Sequence, residues 1–256
     1  MAVVLEARNL NKSFGAVTAA SNINASIEQD SVVGLIGSNG AGKTTFINMV
    51  TGYLTPTSGQ VLYEGRDITG LQPRAVTRLG ISRSFQIPQL FNTLSVHDNL
   101  LVGVGIASRS VKTAARTGSN EHTQVEQLIE RFNLAGYRTQ TAGLLPEGVR
   151  KLLDIAMAVA ARPRLLLLDE PTSGVSADEK FRLMDMVMSA LKTEGVTVLF
   201  VEHDMDIVSR YTHRILAFYE GRIIADGDPL TVLADAEVRR YVIGEQLHKE
   251  ASSAAH

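Results

Sequence analysis

Apolar and polar positions alternate loosely through the first third of the chain, and this pattern predicts strands over Val3–Leu10, Val17–Ile27 and Gln60–Glu64. Between them, Ser31–Ile36 is a short apolar run that ends in a glycine-rich loop, and Thr45–Gly52 then takes helical spacing and stops at a glycine. Pro56-Thr57-Ser58-Gly59 is turn chemistry ahead of the next strand. From about Pro88 to Ala160 the spacing becomes helical. Ser95 and Asp98 form a capping box before a helix over Asn99–Val104, and two further helices are expected over Glu121–Phe132 and Val149–Ala160. Ser108–Asn120 carries Arg109, Lys112 and Arg116, no acid and many small polar residues, so it reads as a solvated connection. The last third alternates again: strand Arg164–Leu168, helix Ala177–Lys192, strand Val196–Val201, then a hairpin of Arg214–Tyr219 and Arg222–Ala225 joined through Glu220–Gly221. Ala251–His256 reads as a frayed tail.

Strand–helix–strand order with apolar strands implies a parallel sheet covered on both faces. The expectation is one domain, residues 1–256, in which a helical subdomain (88–160) interrupts an α/β core (1–87 and 161–256). Composition narrows what such a domain could do. Of the 256 residues, 45% are hydrophobic and 20% charged, the balance of an ordinary globular chain. The 25 basic residues against 27 acidic ones leave a net charge of −2, with no global basic field to hold nucleic acid or anionic lipid. Cysteine is absent, which excludes a disulfide scaffold, a zinc-thiolate site and a catalytic thiol, and fits a reducing compartment. The longest apolar run, Ile155–Ala161, falls far short of the roughly 20 residues that span a bilayer. Met1–Leu5 lacks the basic leader of a signal peptide. The expectation is therefore a cytoplasmic protein whose membrane role, if it has one, runs through a partner.

The chemistry begins at Gly37-Ser38-Asn39-Gly40-Ala41-Gly42-Lys43-Thr44, which fits G-x-x-x-x-G-K-[ST] after a strand and before a helix. Its glycines let backbone N–H groups turn inward around phosphate oxygens, and the following helix adds its positive end. Lys43 then reaches the β- and γ-phosphates, Thr44 ligates Mg²⁺ and Thr45 bonds the α-phosphate. A phosphate loop of this kind needs a second acidic site. Leu165-Leu166-Leu167-Leu168 delivers Asp169 and Glu170 at the end of a buried strand, Asp169 for the shell of Mg²⁺ and Glu170 as the general base that polarises water. His203 follows another buried strand, placed to bond the γ-phosphate and the catalytic water. His97, His122, His213, His248 and His256 lack such context and read as structural or solvated.

A GTPase would carry N-K-x-D after a late strand. The one Asn-Lys here, Asn11-Lys12, precedes the phosphate loop and lacks the aspartate. The order of Phe14, the phosphate loop, Gln86, Leu145–Val149, Asp169-Glu170, Ser173–Ala177 and His203 instead resembles the nucleotide-binding subunit of an ABC transporter, over nearly the whole chain. The resemblance implies a P-loop NTPase fold with a mainly parallel core sheet, an antiparallel β flank and a helical subdomain. It implies that Phe14 stacks on adenine and that Gln86 touches Mg²⁺ and water while linking core to insert. It also implies that Gly148 faces the γ-phosphate held by an opposite subunit. Arg83-Ser84-Phe85-Gln86, Leu90–Val96 and Tyr241–Glu245 are similar to the branched-chain amino acid importers. There the larger ATPase, the one this chain resembles, pairs with a smaller one, and the pair drives two permease subunits and serves a periplasmic solute-binding protein indirectly. Urea, amide and aromatic-acid systems are related.

The expected function is thus ATP hydrolysis powering solute import from the cytoplasmic face of the membrane, without nucleic acid. The alternatives are an ATPase for lipid or lipopolysaccharide export and, further off, a soluble ABC ATPase of DNA repair or translation. Two stretches depart from the family. Leu145-Pro146-Glu147-Gly148-Val149 stands where Leu-Ser-Gly-Gly-Gln is usual, and Met157 replaces a commonly basic residue. Ser176 stands where an aspartate is usual, although Ser176 and Glu179 still form a capping box.

Overall fold

Ile23, Ala25 and Ile27 are buried at every second position, the signature of a strand with one face on a core. The same reasoning, read along the chain of the computed structural model, gives ten strands and nine α-helices among the described residues, 2–110, 118–192 and 195–244. In order these are β1 (Val3–Phe14), β2 (Val17–Glu28), β3 (Val32–Gly37), α1 (Lys43–Val50), β4 (Ser58–Tyr63), β5 (Arg66–Asp67) and α2 (Pro73–Leu79). Then come β6 (Ile81–Ser84), α3 (Val96–Ser110), α4 (Gly118–Arg131), α5 (Glu147–Ala160), β7 (Leu165–Asp169) and α6 (Ala177–Lys192). The chain continues with β8 (Thr197–Val201), α7 (Met205–Tyr211), β9 (Arg214–Tyr219), β10 (Arg222–Gly227), α8 (Pro229–Ala234) and α9 (Ala236–Val238). No helix of the described residues is long and apolar enough to cross a membrane.

Two compact units divide the chain, Met1–Val76 with Thr197–His256, and Thr77–Val196. In the first, β2, β1, β4 and β5 form an antiparallel sheet in that order, with register shifts in β1 where Asn9 takes a positive φ of 47°. Beside it, β3 lies between β8 and β9 and runs parallel to both, while β10 pairs antiparallel with β9. Val33, Leu35 and Ile36 of β3 are fully buried, as are Leu199 and Phe200 of β8. These strands read as apolar runs because both faces are covered. Tyr219 of β9 stacks on Tyr241 with ring centroids 4.6 Å apart, which fastens the C-terminal turn to the sheet.

In the second unit β6 and β7 pair in parallel, Ile81 opposite Leu165 through Ser84 opposite Leu168. Three helices pack together: α3 on α4 and α5, with the apolar face of α5 built from Leu152, Leu153, Ile155, Ala156 and Val159. The capping box is made, since the Ser95 hydroxyl accepts the Asp98 N–H at 3.0 Å and donates to the Asp98 carboxylate at 2.7 Å. A short two-stranded tie joins the start of α3 to the segment before α5, with Ala142 N–H on Leu94 O and Gly143 N–H on Asn92 O.

Local pattern did not announce everything. β5, α2, β6, α7, α8 and α9 lie where no element was expected, each seven residues or shorter. The connection expected over Ser108–Asn120 needs its bounds corrected: α3 runs to Ser110 and α4 starts at Gly118. Residues 111–117 and the tail 251–256 lie outside the described residues.

Candidate active site

Parallel strands all point their C-terminal ends the same way, so loops that follow neighbouring strands emerge together. In the first unit Leu35 of β3 lies opposite Val201 of β8. The loop Gly37–Gly42 and the segment Glu202–Asp204 therefore leave the same end of two adjacent strands. The loop closes on itself through Ala41 N–H to Ser38 O at 3.1 Å, and Ala41 O takes the N–H of Gly221 at 2.9 Å. Gly42 stands at the N-cap of α1 with φ +105°, and a Cβ there would lie 2.8 Å from Ala19 O. Only glycine fits that position.

No side chain caps α1 and no acid sits in its first turn, so its N-terminal N–H groups meet no competing negative charge. Lys43 is buried, and its ammonium donates to Gly37 O at 2.5 Å and Ser38 O at 3.0 Å, which holds a cation inside the loop. Ser38 and Thr45 are half-buried, while Asn39, Gly40 and Thr44 are exposed. His203 is half-buried after β8, its N–H bonded to the Glu202 carboxylate at 3.1 Å. Phe14 is 52% exposed at the end of β1, so it is not a core residue, and the Lys12 ammonium stands 5.1 Å from its ring centroid. His213 is structural: its Nδ1 accepts the Val32 N–H at 3.2 Å.

The parallel pair in the second unit brings three of the expected residues together. Gln86 follows β6, Asp169 ends β7 and Glu170 follows it, and the Gln86 amide donates to the Glu170 carboxylate at 2.6 Å. Asp169 is buried and pairs with Arg83 Nη2 at 2.5 Å, with both side chains about one-tenth exposed. Glu170 takes φ +49°, a left-handed backbone that costs a non-glycine residue about 1–2 kcal/mol. Such a conformation persists only when its surroundings fix it.

The neighbours that fix it sit on α5. Lys151, 3% exposed, donates to Gln86 O at 3.2 Å, Glu170 O at 3.0 Å and Ser173 Oγ at 3.2 Å. Asp154, 6% exposed, accepts the N–H of Gln89 at 2.8 Å and of Phe85 at 3.2 Å. Burial pushes the Asp154 carboxyl above the usual carboxylate range, against the pull of those N–H groups. Sequence reading passed over both residues. The signal was present: two opposite charges three positions apart within the apolar face Leu152-Leu153-Ile155-Ala156 are seldom buried without a task.

Pro146 caps α5 without a side-chain bond, and Glu147 opens its first turn, exposed, with Arg150 Nε 3.8 Å away. Gly148 is half-buried, and a Cβ on Gly174 would lie 3.6 Å from Glu147 Cγ. The departed signature thus lies against the loop that follows Glu170. Ahead of α6 the Ser176 hydroxyl donates to the Glu179 carboxylate at 2.8 Å.

Against known proteins, the ABC transporter family matches residues 20–173. The chain is 33% identical to the high-affinity branched-chain amino acid transport ATP-binding protein BraF of Pseudomonas aeruginosa, over 94% of this chain and 98% of that protein. It is 35% identical to the probable branched-chain amino acid transport ATP-binding protein LivG of Archaeoglobus fulgidus, over 95% and 96%. Among solved structures, the ADP conformation of MJ1267, an ATP-binding cassette of an ABC transporter, superposes with a TM-score of 0.81 at 31% identity, covering 94% of this chain and 98% of that one.

Proposed function

The chain belongs to the ATP-binding subunits of ABC transporters, whose ATP hydrolysis is coupled to transport, and from that premise we propose that it powers import of branched-chain amino acids or a related small solute. One observation carries this reading: similarity to ATPases of branched-chain amino acid transport runs the length of both chains.

In the proposed reaction, Ser38–Gly42 cradle the phosphates by their N–H groups, Lys43 meets the β- and γ-phosphates, and Thr45 bonds the α-phosphate. Phe14 stacks on adenine through an exposed face. Glu170 takes the proton of the attacking water as its oxygen bonds the γ-phosphorus, ADP leaves, and His203 holds the γ-phosphate and that water. Gln86 orients Glu170 through the bond already made. The Thr44 hydroxyl, the Asp169 carboxylate and the Gln86 amide oxygen are hard donors that suit Mg²⁺. When bound, the ion neutralises charge on the β- and γ-phosphates.

Gly148 serves the ATP of a second ATPase subunit, and the permeases meet the exposed residues after Gln86. A periplasmic binding protein delivers the solute from the far side, with this chain on the cytoplasmic face. The test is reconstitution with permease subunits that bind this chain. ATPase activity stimulated by binding protein loaded with a branched-chain amino acid is the expected result. Stimulation by lipid alone would replace import with export.

A further inference from the structure

Gln86 and Glu170 reach each other from loops that α5 grips on both sides. Lys151 and Asp154 lie one turn apart on a single helix face, so their grips move as one body. Asp154 holds the N–H groups of Phe85 and Gln89, and Lys151 holds the carbonyl of Gln86, which fixes three points of the loop 85–89. The same ammonium takes the carbonyl of Glu170, whose left-handed backbone depends on outside support, and the hydroxyl of Ser173. Both side chains are buried where a charge is costly unless hydrogen-bonded, and both are bonded to main chain next to the reacting groups.

We propose that Lys151 and Asp154 are positioning residues for hydrolysis: a buried clamp on α5 that sets the Gln86–Glu170 pair, and so ties the carboxylate to the helix that begins at the departed signature. This rests on the reading of Glu170 as the general base. It acts through the main-chain carbonyls and N–H groups it holds.

The test is steady-state hydrolysis of Mg²⁺-ATP by the full-length chain. Lys151→Met should lower kcat about tenfold, the expected size of effect for a misplaced general base, while KM for ATP stays within about twofold. Lys151→Arg, which keeps the charge and the donors, should recover most of the rate. Asp154→Asn, which turns an NH₂ group toward one of two N–H donors, should lower kcat about threefold with KM unchanged. If thermal unfolding shows that Lys151→Met does not fold, Asp154→Asn carries the same comparison. On a Glu170→Gln background, either substitution should change the residual rate by less than about twofold, because the group it positions is already gone. The full loss appearing again on that background, or a raised KM with kcat intact, would overturn the clamp. A wild-type rate in Glu170→Gln alone would instead remove the base assignment, an outcome visible before any clamp variant is made.

Discussion

Glu170 keeps a left-handed backbone directly after Asp169 at the end of β7. Its carboxylate accepts a hydrogen bond from the Gln86 amide at 2.6 Å. Glu170→Gln keeps the shape and loses the base, so the chain should bind ATP as before and hydrolyse it about 10²-fold more slowly. Lys43→Ala removes the cation from inside the phosphate loop and should instead weaken nucleotide binding. Fluorescent-nucleotide titration alongside phosphate release separates the two effects, and equal affinities for Lys43→Ala and the wild type would contradict the role of the lysine. Lys43 could be picked out by the spacing of its glycine-rich loop, Asp169, Glu170 and His203 by the apolar strands they follow, and Phe14 only through the family resemblance. Arg83, Lys151 and Asp154 could not be given roles, because their partners lie up to 86 residues away and are mostly backbone atoms, which carry no sequence identity.

Elements repeat that contrast. Long periodic stretches were legible to within a few residues: α6 spans Ala177–Lys192 and β9 spans Arg214–Tyr219, as the spacing predicts. Four-residue β6 was not, since Ile81-Ser82-Arg83-Ser84 has too few positions to show a period and becomes a strand only by pairing with β7. Helix α3 was found through its cap, and the cap makes a prediction of its own. The hydroxyl of Ser95 donates to Asp98 and holds that carboxyl below the usual range. A depressed carboxyl stabilises the fold above its unfolded value, roughly pH 3.9, and the contribution is lost as pH falls through the lower folded value. Ser95→Ala should cost about 1 kcal/mol at neutral pH. Thermal unfolding should then show the gap between variant and wild type narrowing as pH falls below about 3.9, the unfolded value, toward the lower folded one. A gap that widens in acid would refute the assignment.

At the scale of the whole molecule, the proposed function assigns two surfaces of the helical unit to partners. Ile87 and Leu144, 73% and 83% exposed, stand beside the loops that lead to Gln86 and to α5. In vesicles reconstituted with the permeases, Ile87→Asp should abolish solute uptake while basal ATPase stays near wild type. Uptake that survives would move permease docking elsewhere. Pro146 and Glu147 concern the second ATPase. A partner's ATP facing this turn loses a charge-assisted hydroxyl bond of about 1.5–3 kcal/mol. The positive end of α5 returns only about 0.3–1 kcal/mol. A deficit near 1.4 kcal/mol makes that site roughly tenfold slower. Glu170→Gln here should therefore cripple the paired complex more than the matching change in its partner, and Pro146→Ser with Glu147→Gly should raise its ATPase. Equal losses from the two glutamates, with no gain from the restored turn, would show that backbone amides suffice. The grip of Lys151 also sets a mechanical tolerance. With side-chain tips about 5–6 Å from a helix axis, a twist of α5 by only about 10° sweeps the ammonium through about 1 Å. Its bonds already span 3.0–3.2 Å, so such a sweep outruns the reach of a hydrogen bond. A twist of that size at the first turn of α5 should therefore slacken the hold of Lys151 on the Glu170 carbonyl, unless the flexible lysine stem follows it.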